Sequence, residues 1–290
     1  MPAEKTTRSA VAAPRRSVWA RVRRVGRYSL LTVLAFIIVF PLYITFVNSL
    51  LTPESIIERP PTLFPTDPQW STYSDAWTDG NLGTYMRNSF IVTFAIVAAQ
   101  VVTSILAAYA FAFLDFPLRN TIFVIFLATL MVPFEVTIIT NFETIANLDM
   151  LNSYRGMIVP FLATGFGAFL LRQAFLGIPR DLEDAARLDG YGHWRFLARI
   201  VVPLTRPAIG ALTVFSFLLA WNQYLWPLIV VQDDNLRPVQ IGLRQLLGSE
   251  ISTINVTYAA TIIASIPLFI LLIVFQKQLV RGLTEGAVKG

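Results

Sequence analysis

Six apolar blocks punctuate this chain, at 28–50, 89–113, 120–140, 156–176, 208–231 and 257–279. Each is close to the ~20 residues a helix needs to cross a hydrocarbon core, so the pattern predicts an all-α integral membrane fold with six spans. Two polar regions stand out between them. Residues 51–88 follow the first span with prolines and aromatics ("RPPTLFPTDPQWSTYSDAW") and are expected to form an outer loop. Residues 183–207, "EDAARLDGYGHWRFLARIVVPLTRP", interrupt the apolar pattern between the fourth and fifth spans with regularly placed charges.

That charged stretch carries helix signals. Pro179 followed by Arg180, Asp181, Leu182, Glu183 and Asp184 suits a helix start, because proline fits the first turn and acids meet the positive end of the helix dipole. Gly190 is expected to end it. A second helix begins at Gly192 and runs through Trp194, Phe196, Leu197, Ile200 and Val201 until Pro203, whose missing N–H stops it. Ala185 and Ala186 would let another backbone come close, with Asp184, Arg187 and Asp189 supplying charge at the edges, as a protein partner would require. Periodicity equally permits an amphipathic hairpin on the inner leaflet, with Trp194 among the headgroups and Arg195 and Arg199 on one face.

Composition narrows the class. The chain is 55% hydrophobic and 14% charged, with a mean hydropathy of +0.60, against about 25% charged in soluble domains. It contains no cysteine, which excludes disulfides and thiolate metal sites. The first apolar block is too long for a signal-peptide core and no small-residue cleavage site follows it, so it is expected to remain as a span. Positively charged loops are retained in the cytoplasm. Of the 23 Lys and Arg, 18 fall on the side holding both termini and the 183–207 stretch. Both termini and that stretch are therefore expected to be cytoplasmic. The basic pI of 9.7 then reflects attraction to anionic membrane lipids rather than to nucleic acid. The expected segmentation is a basic tail (1–27), the first span (28–50), the outer loop (51–88), a membrane core (89–282) and a short cytoplasmic tail (283–290).

Polar residues inside spans are costly and tend to face a cavity or a partner. Glu135 follows Pro133 in the third span, and either lines a solute path or pairs with a neighbouring subunit. Trp221, Asn222, Gln223 and Tyr224 fall near the middle of the fifth span. Their amides could bond solute hydroxyls and the indole could face a carbon skeleton, although such groups also hold helices together. Gln100 is expected to serve that second purpose. No arginine lies in the middle of a span, Arg172 being near the cytoplasmic end of the fourth. His193 is the only histidine, which leaves no histidine-based metal site and little room for an enzyme. Ion-coupled secondary transport would need internal repeats and buried carboxylates, for which Glu135 alone is thin support.

Asp184-Ala185-Ala186, three residues, Gly190, nine residues and Ile200-Val201-Val202-Pro203 resemble the cytoplasmic signature of bacterial ABC importer permeases, Glu-Ala-Ala-x3-Gly-x9-Ile-x-Leu-Pro. Asp184 replaces the motif's Glu and Val202 its Leu, both mild departures. The outer segment, "FPLRN", "TLMVPFEVTIITNFETIANLDMLNSY", "WNQYLWPL" and "LVRGL" extend the likeness to carbohydrate-type permeases, and among them to glycerol-3-phosphate importers, over nearly the whole chain from Pro41 onward.

The resemblance implies the type I ABC importer fold, with the stretch between spans four and five forming coupling helices that dock on a separate ATPase. It assigns ATPase coupling to Glu183, Asp184, Ala185, Ala186, Asp189, Gly190, Ile200 and Pro203. The implied partners are a sister permease, two copies of a cytoplasmic ATPase and an extracytoplasmic solute-binding protein. This chain would bind no cofactor; ATP and Mg would sit on the ATPase, in keeping with the absence here of a GxxxxGK[ST] loop. The implied cargo is sn-glycerol-3-phosphate or glycerophosphodiesters such as glycerophosphocholine, with maltose- or trehalose-like oligosaccharides as the alternative.

Overall fold

A computed structural model describes residues 18–247 and 253–285. The expected tails therefore fall partly outside the described residues, at 1–17 and 286–290. All regular structure among those described is helical. In chain order the helices are α1 (Val18–Ser49), α2 (Pro53–Ile57), α3 (Ser71–Thr78), α4 (Leu82–Phe113), α5 (Arg119–Ala128), α6 (Phe134–Asn147), α7 (Tyr154–Ile158), α8 (Gly165–Leu176), α9 (Arg180–Leu188), α10 (His193–Phe196), α11 (Val202–Leu204), α12 (Arg206–Trp221), α13 (Leu225–Val230), α14 (Val239–Leu247) and α15 (Ile254–Glu285).

Three of these, α1, α4 and α15, are long and apolar enough to cross a membrane unaided. The other three spans are bent helix pairs. The third turns by 95° between Arg119–Met131 and Phe134–Asn147, and the fourth by 43° between Tyr154–Phe161 and Gly165–Leu176. The fifth leaves the charged stretch at 79° and then stops at Trp221, where a continuous helix to residue 231 was expected. Proline explains the breaks. Pro133 forces Val132 into an extended conformation (ψ 111°), while Pro160 and Pro227 withhold the N–H that Gly156 and Gln223 would otherwise accept. The helical boundaries also run past the expected ones: α1 begins within the expected basic tail, and α4 takes in residues 82–88 of the expected outer loop.

α4 is the centre of the bundle and reaches all three buried clusters. At one end Ala108, Tyr109, Ala112 and Phe113 pack with Leu171 and Phe175 of α8, Ala186 of α9 and Phe196 of α10. At the other end Leu82, Tyr85, Met86 and Val97 meet Ala76 of α3, Phe217 and Trp221 of α12, and Ala259, Ala260 and Ala264 of α15. Val92 and Ile96 close a third cluster with Ile145, Met157, Trp226 and Val230. Gly167 lets α8 approach α4, since a Cβ there would overlap Ser104 Oγ. α1 is buried only near its end, at Val47 and Ser49, and is exposed over residues 23–42.

Candidate functional site

The charged stretch folds as helix, glycine corner and helix. α9 starts directly after Pro179 with Asp181 and Glu183 in its first turn. It ends where Gly190 takes φ +75°, with Gly190 N–H donating to Arg187 O (3.0 Å) and Tyr191 N–H to Ala186 O (2.8 Å), the paired bonds of a Schellman ending. The second helix does not stop at Pro203. After α10 comes one wide i→i+5 turn, Leu197–Val201, and the helix continues through Pro203 to Leu204 before Thr205 ends it. The wider turn accommodates the missing proline N–H.

The two faces of α9 differ sharply. Glu183 is buried and bridges Arg180 (3.0 Å) and Arg187 (2.7 Å). Ala186 is buried against the bundle, so of the two alanines only Ala185 remains open to a partner, contrary to the expectation that both would serve. Asp184, Ala185 and Asp189 face outward beside Leu188, which is 89% exposed, and Trp194, which is 74% exposed. Ile200 and Pro203 are half-buried.

Three arginines meet the C-terminal turn of α4, where backbone carbonyls lack helical partners and the dipole is negative. Arg172 donates to Phe111 O (3.3 Å), Arg180 to Ala112 O (3.4 Å) and Arg119 to Leu114 O (3.0 Å). A fourth contact joins α4 to the second helix of the joint: Tyr109 OH and His193 Nδ1 lie 2.9 Å apart. The joint is thus fastened to α4 as well as to α12, which follows it in the chain.

Deeper in the bundle the three helix breaks converge. Phe134 at the start of α6, Phe161 just before α8 and Trp226 in α13 form an aromatic triad with centroid separations of 5.1, 5.6 and 6.2 Å. Freed carbonyls find partners from elsewhere, as the absence of water in a bilayer demands. Trp226 Nε1 donates to Gly156 O (3.0 Å), the acceptor that Pro160 leaves empty. From α4, Gln100 donates to Phe161 O (2.9 Å) and Thr103 to Leu162 O (3.1 Å).

The expected path residues divide around this hub. Glu135 is exposed in the first turn of α6, next to Phe134. Trp221 is buried at 1% exposure, stacked on Phe217 and edge-on to Phe90, with its Nε1 donating to Ala264 O (3.3 Å). Its ring is committed to the α12–α15 packing, and it offers no open face of the kind expected. Asn222 and Tyr224 are exposed in and beside the break, and Asn222 Oδ1 accepts from Gln240 (3.4 Å). Gln223 Oε1 is buried without a protein partner in a small space lined by Ser89, Thr93 and Pro227.

Sequence reasoning also missed a clasp at the end of the bundle away from the joint. Asn88, fully buried, donates to Asn235 O (2.8 Å) and Arg237 O (3.0 Å) and accepts from Tyr154 OH (2.7 Å). Ser89 accepts from Val239 N–H (2.8 Å). The only sequence signal for it was two adjacent polar residues at the edge of a span.

A bundle of long apolar helices and broken pairs, with a charged helix pair presented at one end, defines a multi-pass membrane protein. Residues 100–285 match the family of binding-protein-dependent transport system inner membrane components, and the chain belongs to that family. It is 38% identical over 258 residues to the sn-glycerol-3-phosphate transport system permease protein UgpE of Yersinia pestis bv. Antiqua, covering 86% of this chain and 92% of that one. The UgpE protein of Pectobacterium atrosepticum is 37% identical over 257 residues, with the same coverage. Among solved structures, a bacterial ABC transporter involved in the import of the acidic polysaccharide alginate superposes with a TM-score of 0.81 at 24% identity, over 91% of this chain and 99% of that one. The chain is a permease subunit of an ABC importer with the six-span type I fold.

Proposed function

We propose that this subunit moves sn-glycerol-3-phosphate, or glycerophosphodiesters such as glycerophosphocholine, into the cell, and that α9 and α10 couple this movement to ATP hydrolysis on a separate polypeptide. The subunit works beside a UgpA-like sister permease, two copies of a cytoplasmic ABC ATPase that hold ATP and Mg, and an extracytoplasmic solute-binding protein. Both termini and the joint lie in the cytoplasm. The observation that carries the coupling role is the outward face of α9. Asp184, Ala185, Leu188 and Asp189 stand exposed on the outward side of α9, while Glu183 and Ala186 are buried on the other side of the same helix. The names of the relatives at 37–38% identity support the cargo.

Solute contact falls to Glu135, Asn222, Gln223 and Tyr224, around the breaks in the third and fifth spans. Trp221 shapes that region from behind through its packing. These groups suit glycerol hydroxyls, and the phosphate is met by the binding protein or the sister subunit.

The test is uptake of labelled glycerol-3-phosphate by proteoliposomes holding the whole complex. Asp184→Lys and Gly190→Val should each abolish uptake while the chain still inserts. The first reverses charge on the docking face. The second places a β-branched residue at φ +75°, a strained conformation, although nothing lies within 4 Å to clash with its Cβ. Normal uptake in both variants overturns the coupling role, and binding of maltose in place of glycerol-3-phosphate by the copurified binding protein overturns the cargo.

A further inference from the structure

The joint and the hub of helix breaks are separate regions, and α4 touches both. Near its C-terminal end Tyr109 meets His193 of α10, and Ala112 O accepts from Arg180 of α9. Further back, Gln100 and Thr103 hold the carbonyls of Phe161 and Leu162 at the break before α8. That break is continuous with the other two through the Phe134–Phe161–Trp226 triad. Gln100 and Tyr109 are separated by about 14 Å of helix rise.

α4 is also built to stay straight. Of the six spans it alone carries no proline, whereas α1 contains Pro41, α15 contains Pro267, and the three broken spans contain Pro133, Pro160 and Pro227. Beyond Gly83 it has no glycine. An unbroken helix packed on both sides resists bending, whereas a proline break concentrates angular change at one point.

We propose that α4 is the rigid rod that carries movement of the α9–α10 joint to the three helix breaks, with Tyr109 and Gln100 as positioning residues at its two ends. This rests on the coupling reading above. A tilt or rotation of α4 displaces both contacts together, because Gln100 and Tyr109 lie on different faces of the same helix. Neither residue touches solute or nucleotide in this account. Each fixes how far a displacement at the joint becomes a change of angle at the breaks.

The experiment uses the complete complex in proteoliposomes and reads glycerol-3-phosphate moved per ATP hydrolysed, together with basal ATP hydrolysis and the yield of assembled complex. Tyr109→Phe removes only the hydroxyl and keeps the ring in its aromatic cluster. Gln100→Met keeps the length and removes the amide. Each should lower the transport ratio about five- to tenfold, the cost of one hydrogen bond lost in the moving state, with basal hydrolysis and assembly unchanged. The double variant should be no worse than the poorer single, since both interrupt one path. Thr103→Val replaces Gln100→Met should that variant assemble poorly. An unchanged ratio in both singles, or a double that loses the product of the two, overturns the rod. A purely structural role would lower assembly and leave the ratio intact, which overturns it equally. Asp184→Lys is run in parallel. If it still transports normally, the docking reading fails. If it is dead while Tyr109→Phe and Gln100→Met are normal, the rod alone fails.

Discussion

The two ends of the α4 bundle satisfy their buried polar groups by opposite chemistry. At the joint, buried Glu183 is gripped by Arg180 and Arg187 of its own helix, whose side chains are 60% and 62% exposed. At the far end, Asn88 is wholly buried and spends its amide on two backbone carbonyls and a tyrosine hydroxyl. A half-solvated arginine can shift its grip at small cost because water replaces what it gives up. A saturated buried amide cannot move without stranding its partners. The contrast teaches that the joint's ion pairs lie within one helix and can rearrange, whereas the clasp ties separate segments to α4.

The comparison can be broken most directly at the clasp. Asn88→Leu leaves two carbonyls and the Tyr154 hydroxyl without partners, and should cost about 3 kcal/mol or more, seen as a lower midpoint of thermal unfolding in detergent. If stability were unchanged, the far end would not be the fixed one. Glu183→Gln should cost less, about 1–2 kcal/mol, because the carboxylate is buried but its two arginines are largely in solvent. Salt titration of the unfolding midpoint sharpens the point, since added salt should weaken the native joint and leave the Asn88 clasp indifferent. Arg187→Gln removes one exposed arm while Arg180 remains, and should shift stability by no more than about 1 kcal/mol. A loss as large as that of Asn88→Leu would show the joint to be as rigid as the clasp.

Much of the joint was legible in advance. The helix start at Pro179, the corner at Gly190 and the restart at Gly192 are local signals, and each appears where it was read. The division of labour on α9 was not legible, because two adjacent acids and two adjacent alanines look alike in a motif. Helical geometry places Glu183 and Ala186 on the inner side and Asp184 and Ala185 on the outer one. Trp221 misled for a related reason. An aromatic among polar residues reads the same whether it faces a pathway or, as here, stacks on Phe217 from one turn earlier on its own helix.

Hydropathy and charge placement, properties of a stretch of chain and its neighbours, were enough to establish six spans and the charged joint. They could not say that three of the spans would break, or that the breaks would share one place. The carbonyls at the break before α8 are satisfied by side chains 61, 59 and 70 residues away. Such partners are chosen only when the helices pack, because a polar group freed inside a membrane takes whichever donor the assembled bundle brings within reach.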